Sequence, residues 1–280
     1  MSLFNDELVI IRGAGDLATG VVYSLYKAHF KIILLETQYP SSIRRKVALS
    51  EAVYDGKSRV EDIEAVLVKS YEEALNIVTD TNYSKIPILI DPNCEILNHV
   101  KPTFLIDAII AKKNLGTNKS MAKYTIALGP GFTAGKDVDI VIETVRGHNL
   151  GRMYTKGDAI PNTGIPGNIG GKEAERVIHA SADGIIENIK NIGDFVREKE
   201  VIAYINNNNE KIEVLAAFDG LLRGIIRDGF KVHKGLKIAD IDPRKSEYDN
   251  CFTISDKARN LGGAVLTAMM YLYNRWLIFH

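Results

Sequence analysis

The run Leu8-Val9-Ile10-Ile11-Arg12-Gly13-Ala14-Gly15-Asp16-Leu17-Ala18 constrains the fold of this chain more than any other stretch. Four apolar residues read as a buried strand. The strand enters a turn built on Gly13 and Gly15, and a helix follows through Val21, Val22, Leu25 and Tyr26. Gly13 suits the tight turn, Gly15 lets backbone amides approach a ligand, and Ala18 stands where a dinucleotide fingerprint accepts Gly or Ala. The start of such a helix offers N–H groups without intrahelical acceptors and a partial positive charge, which favour phosphate. A second apolar run, Ile32–Leu35, ends at Glu36, 21 residues after Gly15. The ribose-binding acid of the fingerprint is expected about 20 residues on. The plainer alternative is a strand–turn–helix whose glycines serve only packing.

Further strands and helices alternate through the first third. Ala65–Val68 and Ile86–Ile90 read as strands. Ser70 and Glu73 have capping-box spacing before a helix through Ala74, Leu75 and Val78. Phe104–Ile106 is another strand, ending at Asp107. This alternation predicts a Rossmann-like parallel sheet over residues 1–115, with Glu36, Asp91 and Asp107 following strand ends, where ligands of open α/β sheets bind.

From residue 116 to 172 the chain turns Gly- and Pro-rich, with strands at Tyr124–Leu128 and Ile140–Ile142 and an irregular loop over Pro161–Gly171. Residues 173–245 carry an internal repeat at an offset of 36: Asp183-Gly184 matches Asp219-Gly220, Gly193 matches Gly229, and Ile202-Ala203 matches Ile238-Ala239. Neither half buries its own apolar face, so the two are expected to form one all-β domain. The repeat resembles the biotinyl/lipoyl barrel-sandwich hybrid. The carrier-lysine position falls at about Asn209, without the usual Met-Lys-Met setting, so a structural or docking role is expected. Residues 246–280 read as a C-terminal helical segment, with Ser255 as N-cap and Gly262-Gly263 inside the helix.

Composition narrows the function. The 35 basic and 35 acidic residues cancel, which argues against a chain built to bind nucleic acid or an anionic membrane surface. No apolar run approaches the roughly 18 residues of a membrane span. No signal peptide is read at the start, and two distant cysteines, Cys94 and Cys251, are no disulfide scaffold; a cytoplasmic setting is expected. There is no P-loop and no His-Glu-x-x-His spacing, so no metal site is assigned.

Candidate cofactor-binding residues are Gly13, Gly15, Asp16, Glu36, Arg44, Arg45 and Arg146. The three arginines are expected to neutralise phosphate or another anionic centre. Candidate catalytic residues are His148, an acid, base or ligand, and Cys251, whose thiolate would gain from a nearby helix start. Against these stand a solvated basic run, a merely hydrogen-bonded histidine and a buried cysteine.

Arg12-Gly13-Ala14-Gly15-Asp16-Leu17-Ala18-Thr19-Gly20, Glu51-Ala52-Val53-Tyr54-Asp55-Gly56, Ala111-Lys112-Lys113-Asn114-Leu115-Gly116-Thr117, Leu128-Gly129-Pro130-Gly131-Phe132, Ile142-Glu143-Thr144-Val145-Arg146-Gly147-His148 and Ile241-Asp242-Pro243-Arg244 resemble the YqeB family, described as accessory to selenium-dependent molybdenum hydroxylases. The resemblance covers nearly the whole chain. It implies a role in preparing or inserting the molybdenum cofactor, with molybdopterin dinucleotide as ligand and a molybdenum hydroxylase as partner. It supplies no catalytic residue. An NAD(P)-dependent oxidoreductase and a non-catalytic docking module remain open, as does a homodimer.

Overall fold

A computed structural model describes residues 7–161, 171, 172, 174–207 and 210–279. Most of the Pro161–Gly171 loop, and Asn209, lie outside the described residues. The chain divides into two units: Met1–Pro40, Ala48–Thr163 and Ile254–His280 form the first, and Ser41–Val47 with Gly164–Thr253 form the second.

The first unit is built from β1 (Leu8–Arg12), α1 (Asp16–Lys27), β2 (Lys31–Glu36), α2 (Ala52–Asp55), β3 (Lys57–Val60), β4 (Ile63–Val68), α3 (Tyr71–Thr79), β5 (Ile86–Ile90), β6 (Phe104–Asp107), β7 (Tyr124–Leu128), β8 (Thr133–Ala134), β9 (Ile140–Ile142), β10 (Met153–Tyr154) and β11 (Gly157–Asp158). Nine strands form one sheet in the order β10-β9-β7-β6-β1-β2-β5-β4-β3. Its pairs are parallel except at the two margins, where β10 and β3 run antiparallel to their neighbours. The near-continuous apolar strands follow from burial on both faces. β1 leads outward to β2, whereas β4 leads back to β5. Right-handed crossovers therefore set α1 and α3 on opposite faces. Ala74 and Val78 of α3 pack with Ile10, Ile33 and Leu105. Ser70 caps α3 as predicted, its Oγ accepting Glu73 N–H at 3.4 Å, while the Glu73 carboxylate accepts Lys69 N–H, one residue before the cap, at 2.9 Å.

Two expectations about boundaries change here. The stretch expected as a separate middle segment supplies β7 and β9 to the main sheet, because their apolar runs are as buried as those of β1. The C-terminal helix α4 (Asp256–Phe279) also belongs to this unit, where it packs on α1, β7 and β9. Ser255 Oγ accepts Ala258 N–H at 3.2 Å, as its N-cap assignment requires. α1 and α4 run in the same direction and nearly touch. A Cβ on Gly20 would collide with Ala258 O, and one on Gly262 would collide with Gly20 O. No helix among the described residues is long and apolar enough to cross a membrane.

The second unit holds β12 (Val177–His179), β13 (Gly184–Asn188), β14 (Phe195–Val196), β15 (Val201–Asn207), β16 (Glu210–Leu215), β17 (Gly220–Ile225), β18 (Lys231–Val232) and β19 (Lys237–Asp242). They form two four-stranded antiparallel sheets, β12-β19-β17-β14 and β16-β15-β13-β18. The repeat read from the sequence is visible in the pairing. β14 of the first half joins β17 of the second, and β18 of the second joins β13 of the first. Matched hydrogen bonds cross between the halves. Asp183 Oδ1 accepts Lys234 N–H and Asp219 Oδ1 accepts Glu198 N–H, both at 2.7 Å. Gly193 N–H donates to Leu222 O and Gly229 N–H to Ile186 O. Ile186, Val196, Ile205, Leu222, Val232 and Ile241 share the core. Ser41–Val47 belongs here as well, since Ile43 packs on this core and a Cβ on Gly224 would lie 2.9 Å from Ile43 O.

Candidate functional site

The Gly-rich turn stands at the carboxyl ends of the parallel strands, beside the switch point where the chain leaves β1 for β2 on one side and arrives at β6 on the other. Gly13 takes φ +90°, and its N–H donates to Leu35 O at 2.8 Å. A Cβ there would lie 2.9 Å from Ile109 Cα, so the loop after β6 itself requires a glycine. Gly15 is extended and precedes Asp16, the first residue of α1.

Glu36 ends β2, and its carboxylate faces this turn. Oε2 accepts Ala14 N–H at 2.9 Å and Oε1 accepts Thr37 N–H at 2.8 Å. The amide following Gly13 is therefore held by Glu36. Burial pushes the Glu36 carboxyl above the usual carboxylate range, against the pull of these two amides. A cavity of about 220 Å³ opens beside it, lined by Arg12, Gly13, Leu35, Glu36, Thr37, Asp91, Pro92, Asn93, Ile109 and Leu115. Gly15 and Asp16 adjoin it at the helix start rather than in its lining.

Sequence reasoning placed Asp107 at this sheet edge but missed Arg12, which lines the cavity and pairs with it. Arg12, 4% exposed, lies 3.6 Å from Asp107 Oδ2. It also donates to Pro92 O at 2.9 Å, to Leu115 O at 3.3 Å and to Thr117 Oγ1. Thr117 in turn donates to Asp107 Oδ2 at 2.6 Å. Burial pushes the Asp107 carboxyl up, while Thr117, the Ile109 amide and Arg12 pull it back. The signal lay in the sequence as an arginine closing an apolar strand and an acid closing another. Asp91 instead fixes the turn after β5, where its two oxygens accept Glu95 and Ile96 N–H at 2.8 and 2.9 Å. In that turn Cys94 is buried, and desolvation raises its thiol to about 11.

The expected phosphate-neutralising arginines are otherwise engaged. Arg44 is buried in the second unit and donates to Asn250 O and Thr253 O, and Arg45 donates to Ile225 O at 2.8 Å. They tie Ser41–Val47 to that unit through carbonyl groups, a role that a run of basic residues does not disclose. Arg146 forms a two-pronged ion pair with Asp256, at 2.6 and 3.1 Å. His148 lies exposed in the adjoining turn. Cys251 is 1% exposed and part of the second unit's core, in a short 3₁₀ turn rather than at the start of α4. Burial raises its thiol pKa despite Arg223 and Arg44 nearby, which works against the thiolate expected from the sequence.

The start of α4 carries a residue that spacing did not mark. The Lys257 side chain makes no hydrogen bond or ion pair among the described residues, although Asp16, Glu143 and Asp256 lie near it. Burial and Arg146 push its ammonium pKa below the usual lysine range, and Asp16, Glu143 and Asp256 pull it back. Glu143, fully buried after β9, accepts the amides of Thr144, Val145 and Ile160.

A mostly parallel α/β sheet with a glycine turn and a carboxylate at its carboxyl edge defines the class: an α/β protein with a candidate ligand crevice, joined to an antiparallel β unit. The chain is a homologue of the uncharacterized protein YqeB of Escherichia coli, with 49% identity over 270 residues. The match takes in 96% of this chain and 48% of that protein, so the chain spans about half the length of the curated relative it matches. No family model matches the chain. Among solved structures, an aspartoacylase family protein from Mesorhizobium loti has 12% identity and a TM-score of 0.28 over 84% of each chain. A succinylglutamate desuccinylase/aspartoacylase from Rhodobacter sphaeroides has 24% identity and a TM-score of 0.23 over 25% of this chain and 22% of that one. Likenesses this slight carry no argument.

Proposed function

We propose that this chain is an accessory factor in the maturation of a selenium-dependent molybdenum hydroxylase, and that its first unit holds the dinucleotide form of the molybdenum cofactor as cargo. We read that unit as Rossmann-like and the second as a barrel-sandwich hybrid that docks rather than carries biotin or lipoate. The observation behind the ligand class is that Gly13 and Glu36 line one cavity, with Glu36 bonded to the turn amide of Ala14 and α1 starting two residues further on. A carboxylate with both oxygens anchored keeps lone pairs for the two hydroxyls of a ribose. It also repels a phosphate on that sugar. The cavity is smaller than the roughly 300–1,000 Å³ of whole-ligand pockets, so it suits the nucleoside end, with the diphosphate toward Gly15 and Asp16.

The test is mass spectrometry of small molecules released from the chain made in a host that synthesises the molybdenum cofactor. Recovery of a molybdopterin dinucleotide supports the reading. Recovery of NAD(H) alone moves the protein to the oxidoreductase reading, which shares the crevice. Gly15→Asp sets a carboxylate against the diphosphate and is expected to abolish binding while the chain stays folded; unchanged affinity by calorimetry rejects the site.

A further inference from the structure

We propose that Arg12 fixes the width of a slot for a planar nitrogen heterocycle, so that the cavity beside Glu36 selects a nucleotide's base as well as its sugar. This rests on the nucleotide reading of the crevice. One guanidinium nitrogen, Nη2, reaches both Pro92 O at 2.9 Å and Leu115 O at 3.3 Å. Those carbonyls belong to two different loops of the lining, the turn after β5 and the loop after β6. The planar guanidinium thus bridges the two loops at one end of the cavity and sets their spacing there. Asp107 and Thr117 hold the guanidinium in place from behind.

The walls have the character a flat ring demands. Leu35, Pro92, Ile109 and Leu115 are apolar, while Thr37 and Asn93 add polar groups to the lining. Leu115 is 46% exposed, a large apolar side chain left at the rim. Its loop is held in a costly shape. Ile110 and Lys112 take φ of +60° and +62°, a region that a β-branched residue rarely enters. Two glycines wedge the same loop: a Cβ on Gly13 would lie 2.9 Å from Ile109 Cα, and one on Gly131 would lie 2.6 Å from Lys113 Cα. Strain of this kind survives only where the surroundings over-determine it, and it clusters where a ligand must be met by a preset surface. With Arg12 already paired to Asp107, the slot offers no free cation from its floor, which suits a neutral ring. In this assignment Arg12 is a positioning residue and Leu115 is the contact.

The experiment titrates the full chain with adenosine monophosphate and with ribose 5-phosphate by calorimetry, using wild type, Leu115→Ala and Arg12→Lys. Wild type is expected to prefer the nucleotide by about tenfold or more, the usual worth of a stacked base. Leu115→Ala removes a half-exposed side chain at the rim. It should cut that preference to about twofold and leave ribose 5-phosphate unchanged, since only the stacked base is lost. Arg12→Lys should move the ratio the same way. A wild type without preference, or variants that weaken both ligands equally, overturns the slot while the crevice stands. Wild type that binds neither ligand overturns the nucleotide reading, and the slot with it.

Discussion

Glu36 is a carboxyl group whose burial outweighs two amide hydrogen bonds. Its folded pKa lies above its unfolded value, so the native state holds this proton more tightly. The stabilisation from that proton is complete below the ordinary carboxylate range and is lost as pH rises through the raised value. Glu36→Gln should therefore flatten the fall in stability between acid and neutral pH, measured by denaturant unfolding at a series of pH values. An unchanged slope would assign the titration elsewhere. Ribose binding should move oppositely, weakening as pH falls, because the ionised form accepts both hydroxyls. Asp107 behaves as half of a buried pair. Asp107→Ala leaves Arg12 charged and uncompensated, which typically costs about 3–5 kcal/mol, and thermal unfolding reports the loss. The turn at Gly13 and Gly15 and the nearness of Glu36 to it were legible because they lie close in sequence. Arg12 was not, since its partners Pro92, Asp107, Leu115 and Thr117 all come from distant loops. Arg44 and Arg45 were misread because a basic run looks the same whether it meets water or carbonyl oxygens.

Among elements, α1 and α4 show how far periodicity reaches. A helical tail was readable from its apolar spacing and its serine cap, but its partner was not. The two adjacent glycines of α4 look equivalent by propensity, yet only one meets α1. A Cβ on Gly262 would collide with Ser24 Oγ, whereas Gly263 has nothing within 4 Å. Gly262→Ala should therefore destabilise by about 1–3 kcal/mol through overpacking. Gly263→Ala should stabilise by up to about 1 kcal/mol from helix propensity alone. Opposite shifts in melting temperature check the pair; shifts of one sign would refute the packing. The β repeat was legible as a repeat, and its exchange of short strands was not, because an offset in sequence does not say which sheet a strand enters.

At the scale of the molecule, the chain enters and leaves the second unit twice, at Ser41–Val47 and at Gly164–Thr253. Linear domain boundaries drawn from composition miss this, since nothing in Ser41–Val47 resembles the β repeat. A chain ended at Thr253 should keep the antiparallel β signature yet expose the α1 surface that α4 covers, read as increased binding of a hydrophobic dye. A truncated chain that unfolds cooperatively like the full one would contradict the assignment of α4 to the first unit.

That assignment also governs the timing of synthesis. The strand and turn that open the crevice leave the ribosome before the second unit, but the helix that covers α1 is translated only after the described strands of that unit. The β unit can close while its host sheet still waits for a missing wall. Until α4 arrives, the nascent sheet shows an apolar flank to whatever chaperone stands at the exit tunnel.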